Sequence, residues 1–188
     1  MQTCAEKDPL PGQEKLALQD LAARMADQPE EVLPRFVDLA MEMAGGVSAG
    51  LSLYEEAPPP VFRWQYLQGV LSPFNGTTAP RNFSPGGITL DQNAPVLSLH
   101  PECAYDWIAA ANITVPEVLL APLYLGGKVP LGRIVADKEG HFDSGRARVM
   151  TELASFVGIA TDGAQRAAPP ARLGQAGDVG EGNESSGQ

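Results

Sequence analysis

Two short runs of alternating side-chain character bound what this chain can become. Val47-Ser-Ala-Gly-Leu-Ser-Leu-Tyr54 and Val61-Phe-Arg-Trp-Gln-Tyr-Leu67 flank the turn-forming stretch Glu55–Pro60. In the second run Phe62, Trp64 and Tyr66 fall on one face and Arg63 and Gln65 on the other, the period of a half-buried strand. The pair predicts an antiparallel hairpin. A second hairpin is predicted from Val118–Leu125 and Val129–Ala136, joined by Gly126-Gly127, a strong turn signal. Pro122 has no amide hydrogen to offer a ladder, so its strand is expected at an edge or a bulge.

Helical periodicity frames these strands. Leu16, Leu18, Leu21, Ala22 and Met25 recur at mainly helical spacing over Gln13–Asp27. Pro29 opens a second helix striped by Val32, Leu33, Phe36, Val37, Leu39, Ala40 and Met43, which Gly45-Gly46 ends. Asp143 caps a last helix running to about Asp162, with Val149, Leu153, Phe156, Val157 and Ala160 on one face. Between the hairpins, Gln68–Asn82 reads as a long loop and Ile88–Asn93 as a short turn or helix. Val96–Leu99 reads as a strand, and Pro101–Ala111 as a helix carrying Tyr105, Trp107 and Ile108. This order predicts an α+β sandwich: a central antiparallel sheet, terminal helices on one face, and a loop and helix insertion on the other. Residues 13–163 make the expected domain. Residues 1–12 and 164–188 are rich in Gly, Pro, Ala and polar residues and are expected to be disordered.

Composition removes several function classes. A formal net charge of -10 over 188 residues repels nucleic acid and anionic lipid surfaces. No apolar run approaches the ~18 residues of a membrane span. The N-terminus lacks the basic and apolar blocks of a secretory signal. The two cysteines, Cys4 and Cys103, motivate no disulfide. A cytoplasmic protein is expected. No phosphate-cradling glycine motif and no interpretable Ser/His/Asp set occurs, so no enzyme is expected. Two histidines and two cysteines, far apart, are too few for a structural zinc site of ~4 ligands, and no metal is expected.

Candidate chemistry gathers at Arg81-Asn-Phe-Ser-Pro-Gly-Gly-Ile-Thr89 and His100-Pro-Glu-Cys103. The Ser84-Pro85-Gly86-Gly87 kink predicts a tight turn with amides pointing outward, the lid of a small-molecule pocket. Phe62, Trp64 and Tyr66 would form its floor, and Ser84, Gly86, Gly87 and Thr89 its rim. Phe83, His100, Cys103 and Trp107 complete the candidate ligand-binding set. Strands bury such aromatics without any ligand, so a plain core face is the competing reading. His100 and Cys103 would share one face of a helix. Activated thiol chemistry is one use of such a pair; the bland alternative is a helix-capping histidine and a small buried thiol.

The sequence resembles a GAF domain. The resemblance spans about residues 29–163 and rests on the order and spacing of several segments. These are Ala49-Gly-Leu-Ser-Leu, Phe62-Arg-Trp, Pro80-Arg-Asn-Phe-Ser-Pro, Leu90-Asp-Gln-Asn-Ala-Pro, His100-Pro-Glu, Leu120-Ala-Pro-Leu, Gly132-Arg-Ile and Phe142-Asp. It is similar to bacterial GAF domains found alone or ahead of histidine kinase modules. The resemblance implies a sensory or regulatory domain that binds an unidentified small molecule non-covalently and signals through a partner, such as a histidine kinase, or through a homodimer of terminal helices. A ligand-free interaction module is the alternative it also implies. Some relatives are bilin-binding photoreceptors or thiol-dependent reductases of free methionine sulfoxide. Relatives often carry a cysteine in the Ser-Pro-x-Gly turn where this chain has Gly86, which argues against a thiol function at that position; Cys103, followed by Ala104 and without a nearby partner thiol, argues against the two chemistries. No cofactor is assigned.

Overall fold

The computed structural model of the chain describes residues 11–167 apart from 57, 124–130 and 137. The expected Gly126-Gly127 turn, residues 1–10 and residues 168–188 lie outside the described residues. Helix α1 (Pro11–Asp27) begins with a proline, which a first helical position tolerates because its amide has no intrahelical partner there. It therefore takes in Pro11 and Gly12, which the composition had assigned to the leading segment. A 3-10 turn at Pro29–Glu31 leads into α2 (Val32–Ala44). Gly45 ends α2 in the left-handed region, at φ 69, and its amide donates to the Met41 carbonyl oxygen at 3.0 Å.

Strands β1 (Ser48–Glu55) and β2 (Val61–Gly69) form the first hairpin, and β2 also pairs with a short β3 (Thr78–Pro80). Helix α3 (Pro85–Gln92) precedes β4 (Val96–Leu99). The expected helix over Pro101–Ala111 is split into a 3-10 turn, Pro101–Ala104, and α4 (Asp106–Ala110). Strands β5 (Glu117–Pro122) and β6 (Leu131–Ala136) precede α5 (Ser144–Ala167), which runs past the expected end near Asp162.

The six strands form one sheet in the order β3-β2-β1-β6-β5-β4, and every pairing is antiparallel. The architecture is the predicted α+β sandwich. One expectation for Pro122 fails: β5 lies between β6 and β4, not at an edge. The sheet tolerates the proline because β4 ends sooner, its first residue Val96 standing opposite Leu120.

Two cores occupy the two faces. Helices α1, α2 and α5 cover one, with Leu21, Phe36, Leu51, Ile134, Met150 and Val157 fully buried between them and the sheet. The insertion covers the other, where Phe62, Trp64, Leu67, Tyr105, Ile108 and Leu120 meet. The root of α5 is tied to the sheet by a buried carboxylate. Glu117 accepts the amides of Gly140 at 2.5 Å and Phe142 at 2.7 Å. No helix among the described residues is long and apolar enough to cross a membrane.

Candidate functional site

The insertion face of the sheet is the predicted pocket floor, and it holds two of the three expected aromatics. Phe62 and Trp64 are fully buried there. Tyr66 is not with them; it packs against the helix-side core. The cause is a bulge. Ala49 pairs with Gln68 but Leu51 with Gln65, so Tyr66 and Leu67 together stand opposite Gly50. Tyr66 adopts φ 55 to make the extra step, and the alternation inverts beyond it. Leu67 takes the inward place expected of Tyr66. Gly50 is needed opposite the bulge, since a Cβ there would stand 2.3 Å from Leu67 Cδ2.

The expected lid is a helix start. Ser84 caps α3: its Oγ donates to the Arg81 carbonyl at 3.1 Å and accepts the Gly87 amide at 3.2 Å. The Ile88 amide donates to the Ser84 carbonyl, and Thr89 Oγ1 to the Pro85 carbonyl at 2.9 Å. The amides of Gly87 and Ile88, expected to point outward, are thus satisfied within the cap. Gly87 allows the first turn of α3 to lie against Arg81, because a Cβ would sit 2.1 Å from that carbonyl oxygen. Gly86 is buried in the same turn. Phe83, at φ 58 and 102% exposed, points to solvent and touches no floor residue. Arg81 pairs with Asp91 and ties the loop to the far end of α3, and the carboxylate holds the guanidinium charged.

Trp107 packs beside Trp64. Their ring centroids lie 4.6 Å apart at 72°, edge to face. Tyr105 meets Trp64 at 5.5 Å and 83°, and Phe74 meets Trp107 at 4.7 Å. Tyr105, Phe74, Ile108 and Leu71 were not assigned to the site from sequence. The spacing of Tyr105 and Ile108, three apart on one face beside Trp107, was the available signal. These side chains fill most of the space beneath the insertion. Among the described residues, what remains there is an apolar cavity of about 10 Å³ bounded by Trp64, Pro85, Tyr105 and Ile108, room for roughly one water molecule.

His100 and Cys103 stand apart from this interior. Cys103 is exposed. His100 is exposed too, in the left-handed region at φ 46. Its Nδ1 faces Glu102 Oε1 at 2.9 Å and its Nε2 faces Glu139 Oε1 at 2.8 Å. Both ring nitrogens are therefore engaged by carboxylates, not by the thiol. Hydrogen bonding to Glu102, then to Glu139, raises the imidazole above its usual 6.5. Among the described residues no group of three or more His, Cys, Asp or Glu side chains is arranged to hold a metal ion.

No family model and no curated protein sequence matches the chain. Solved structures do. A GAF domain from a Coxiella burnetii phosphoenolpyruvate-protein phosphotransferase is similar over 82% of this chain and 96% of its own, with a TM-score of 0.67 and 15% identity. The phycoerythrobilin-bound GAF domain of a cyanobacterial phytochrome aligns over 84% and 98%, with a TM-score of 0.68 and 10% identity. A free methionine-R-sulfoxide reductase from Neisseria meningitidis, in complex with its substrate, aligns over 82% and 92%, with a TM-score of 0.66 and 18% identity. The chain has a GAF-type fold. At such identities the likeness speaks for the fold, and a fold hosts many functions.

Proposed function

We propose that this chain is a GAF-type regulatory domain that works by protein contact, its small-molecule site being closed by its own aromatic side chains. One observation carries the reading. The space between sheet and insertion is filled by Trp64, Tyr105, Trp107 and Ile108, leaving about 10 Å³. Ligand sites usually measure about 300–1,000 Å³, so a metabolite needs this cluster to rearrange. The signal then passes to a partner protein or a second copy of the domain. No catalytic step is proposed: the exposed Cys103 lies beside a histidine whose two nitrogens both face carboxylates.

A second reading keeps the expected non-covalent small molecule. It is favoured by Trp107, which is half-buried on a helix of only five residues. Its ring lies 4.6 Å from Trp64, which lines the cavity, so rotating it outward frees space for Trp64 to move without breaking a strand. Ligand affinity is then reduced by the fraction of molecules that are closed.

The two tryptophans of the chain, Trp64 and Trp107, both lie here, so intrinsic emission reports on this site alone. Emission and melting temperature are measured against nucleotides, amino acids, flavins and tetrapyrroles, beside native mass spectrometry of the purified protein. The contact reading expects no shift and the bare polypeptide mass. A guest that shifts the emission and raises the melting temperature replaces it with the Trp107-gated reading.

A further inference from the structure

Among the described residues, nothing pairs with the outer side of β4, the edge strand beyond β5. The His100 amide donates to the Pro116 carbonyl at 3.1 Å, which sets the hydrogen-bonding phase of the β4–β5 ladder. Alternate residues Ser98 and Val96 then bond β5, and the N–H and C=O of Leu97 and Leu99 point out of the sheet. Among the described residues nothing bonds these four groups. Their side chains are apolar and half exposed, 48% for Leu97 and 54% for Leu99. The run Val96-Leu-Ser-Leu99 has no lysine, bulge or internal proline, the devices that usually blunt a free edge.

A groove runs beside the edge. Leu97 stands opposite Leu119, on the helix-covered face. Helix α5 packs over β5 and leaves β4 outside its cover. The result is an open groove of about 230 Å³, with Leu97 and Leu119 as floor, Phe142 and Ala147 as wall, and Asp143 and Ser144 at the rim. The rim is acidic. Asp143 is 53% exposed, even with the Arg146 guanidinium at 3.3 Å, and Glu139, beside His100 at the end of β4, is 58% exposed. Arg148, the next cation along α5, is held between Glu14 and Glu152. Pairing β4 with a second copy would bring two such rims together in a chain of net charge -10.

We propose that the β4 edge and its groove form a docking site for an extended basic segment of a partner protein, which adds to the sheet as a further strand. The incoming backbone bonds Leu97 and Leu99, an apolar side chain enters the groove, and Lys or Arg side chains two residues away, on the same face, meet Asp143 and Glu139. This inference rests on the reading that the domain works by protein contact.

The test uses the full chain and a labelled Lys-Thr-Val-Thr-Lys-Thr-Val peptide, whose Lys and Val share one strand face, followed by fluorescence anisotropy and by amide chemical shifts. Binding is expected to shift the Leu97 and Leu99 amides and to weaken as salt rises. Methylating alternate peptide nitrogens, which blocks strand pairing and leaves the protein untouched, is expected to weaken binding by about tenfold or more. Leu97→Lys should do the same with an unchanged melting temperature. The same peptide with Glu in place of Lys should not bind. Failure of the Lys-containing peptide to bind, or equal binding after methylation or in Leu97→Lys, overturns the site. So does light scattering that shows a dimer dissociated by Leu97→Lys, since the edge then belongs to a second copy. None of these outcomes touches the tryptophan emission that decides between contact and small-molecule regulation, so the two failures are told apart.

Discussion

The two faces of the sheet are built from different materials. The helix side is mainly aliphatic, and three long helices carrying Leu21, Phe36, Val37, Met150 and Val157 hold it. The insertion side is richer in aromatics, with Phe62, Trp64, Tyr105 and Trp107, and its covers are an eight-residue helix, a five-residue helix and short 3-10 turns. Long helices fix many side chains at once through their own backbone ladders. Short ones depend on caps and single contacts, so local opening costs less there. Stability is thus concentrated on one face and adaptability on the other.

The largest expected effect sharpens that contrast. Phe36→Ala removes a fully buried ring lying against β6 beside Gly132 and should cost about 3–5 kcal/mol in chemical denaturation. Trp107→Ala, also an aromatic truncation, should cost only about 1–2 kcal/mol, because the ring is half-buried and its neighbours can collapse. Equal losses would erase the distinction between the faces.

Gly87→Ala probes the insertion alone. The new methyl meets a backbone oxygen, not a flexible side-chain end, so the first turn of α3 must shift, at about 1–3 kcal/mol. Hydrogen exchange should quicken over Ser84–Thr89 and not in α2. Faster exchange in α2 would mean that the two faces unfold as one.

The smallest effect is electrostatic. His100 in the folded chain lies above its usual 6.5, chiefly through Glu102 and then Glu139. Its stabilising contribution is therefore complete below pH 6.5 and fades as pH rises through the higher folded value. His100→Gln should flatten that part of the stability profile, and an imidazole proton titration should give a midpoint above 6.5. A midpoint at or below 6.5 would remove the Glu139 link between the 3-10 turn after β4 and the loop before α5.

Much of the frame was legible in the chain because it is periodic. The α2 stripe, the β1–β2 hairpin, the β4 strand and the αL glycine at Gly45 follow from repeats of two or 3.6 residues and from the freedom of glycine. The candidate site was legible only in part. Trp64 and Trp107 meet, but Tyr66 left the set at a bulge that alternation cannot announce. Phe83 faces solvent, and Ser84, Gly87 and Thr89 serve a helix cap. β3 was hidden in the Gly- and Asn-rich run after Gln68, since three residues show no period.

The sequence by itself determined the order of elements, the sandwich class, the acidic surface and the aromatic character of one sheet face. These are properties of local spacing and composition, which a chain carries before it folds. Only the tertiary structure decided that β5 lies inside the sheet, that Tyr66 turns to the helices, that the aromatics fill their own hollow, and that Leu97 and Leu99 are left at a free edge. Those outcomes depend on which distant segments become neighbours, a matter of register and packing that no short window of residues contains.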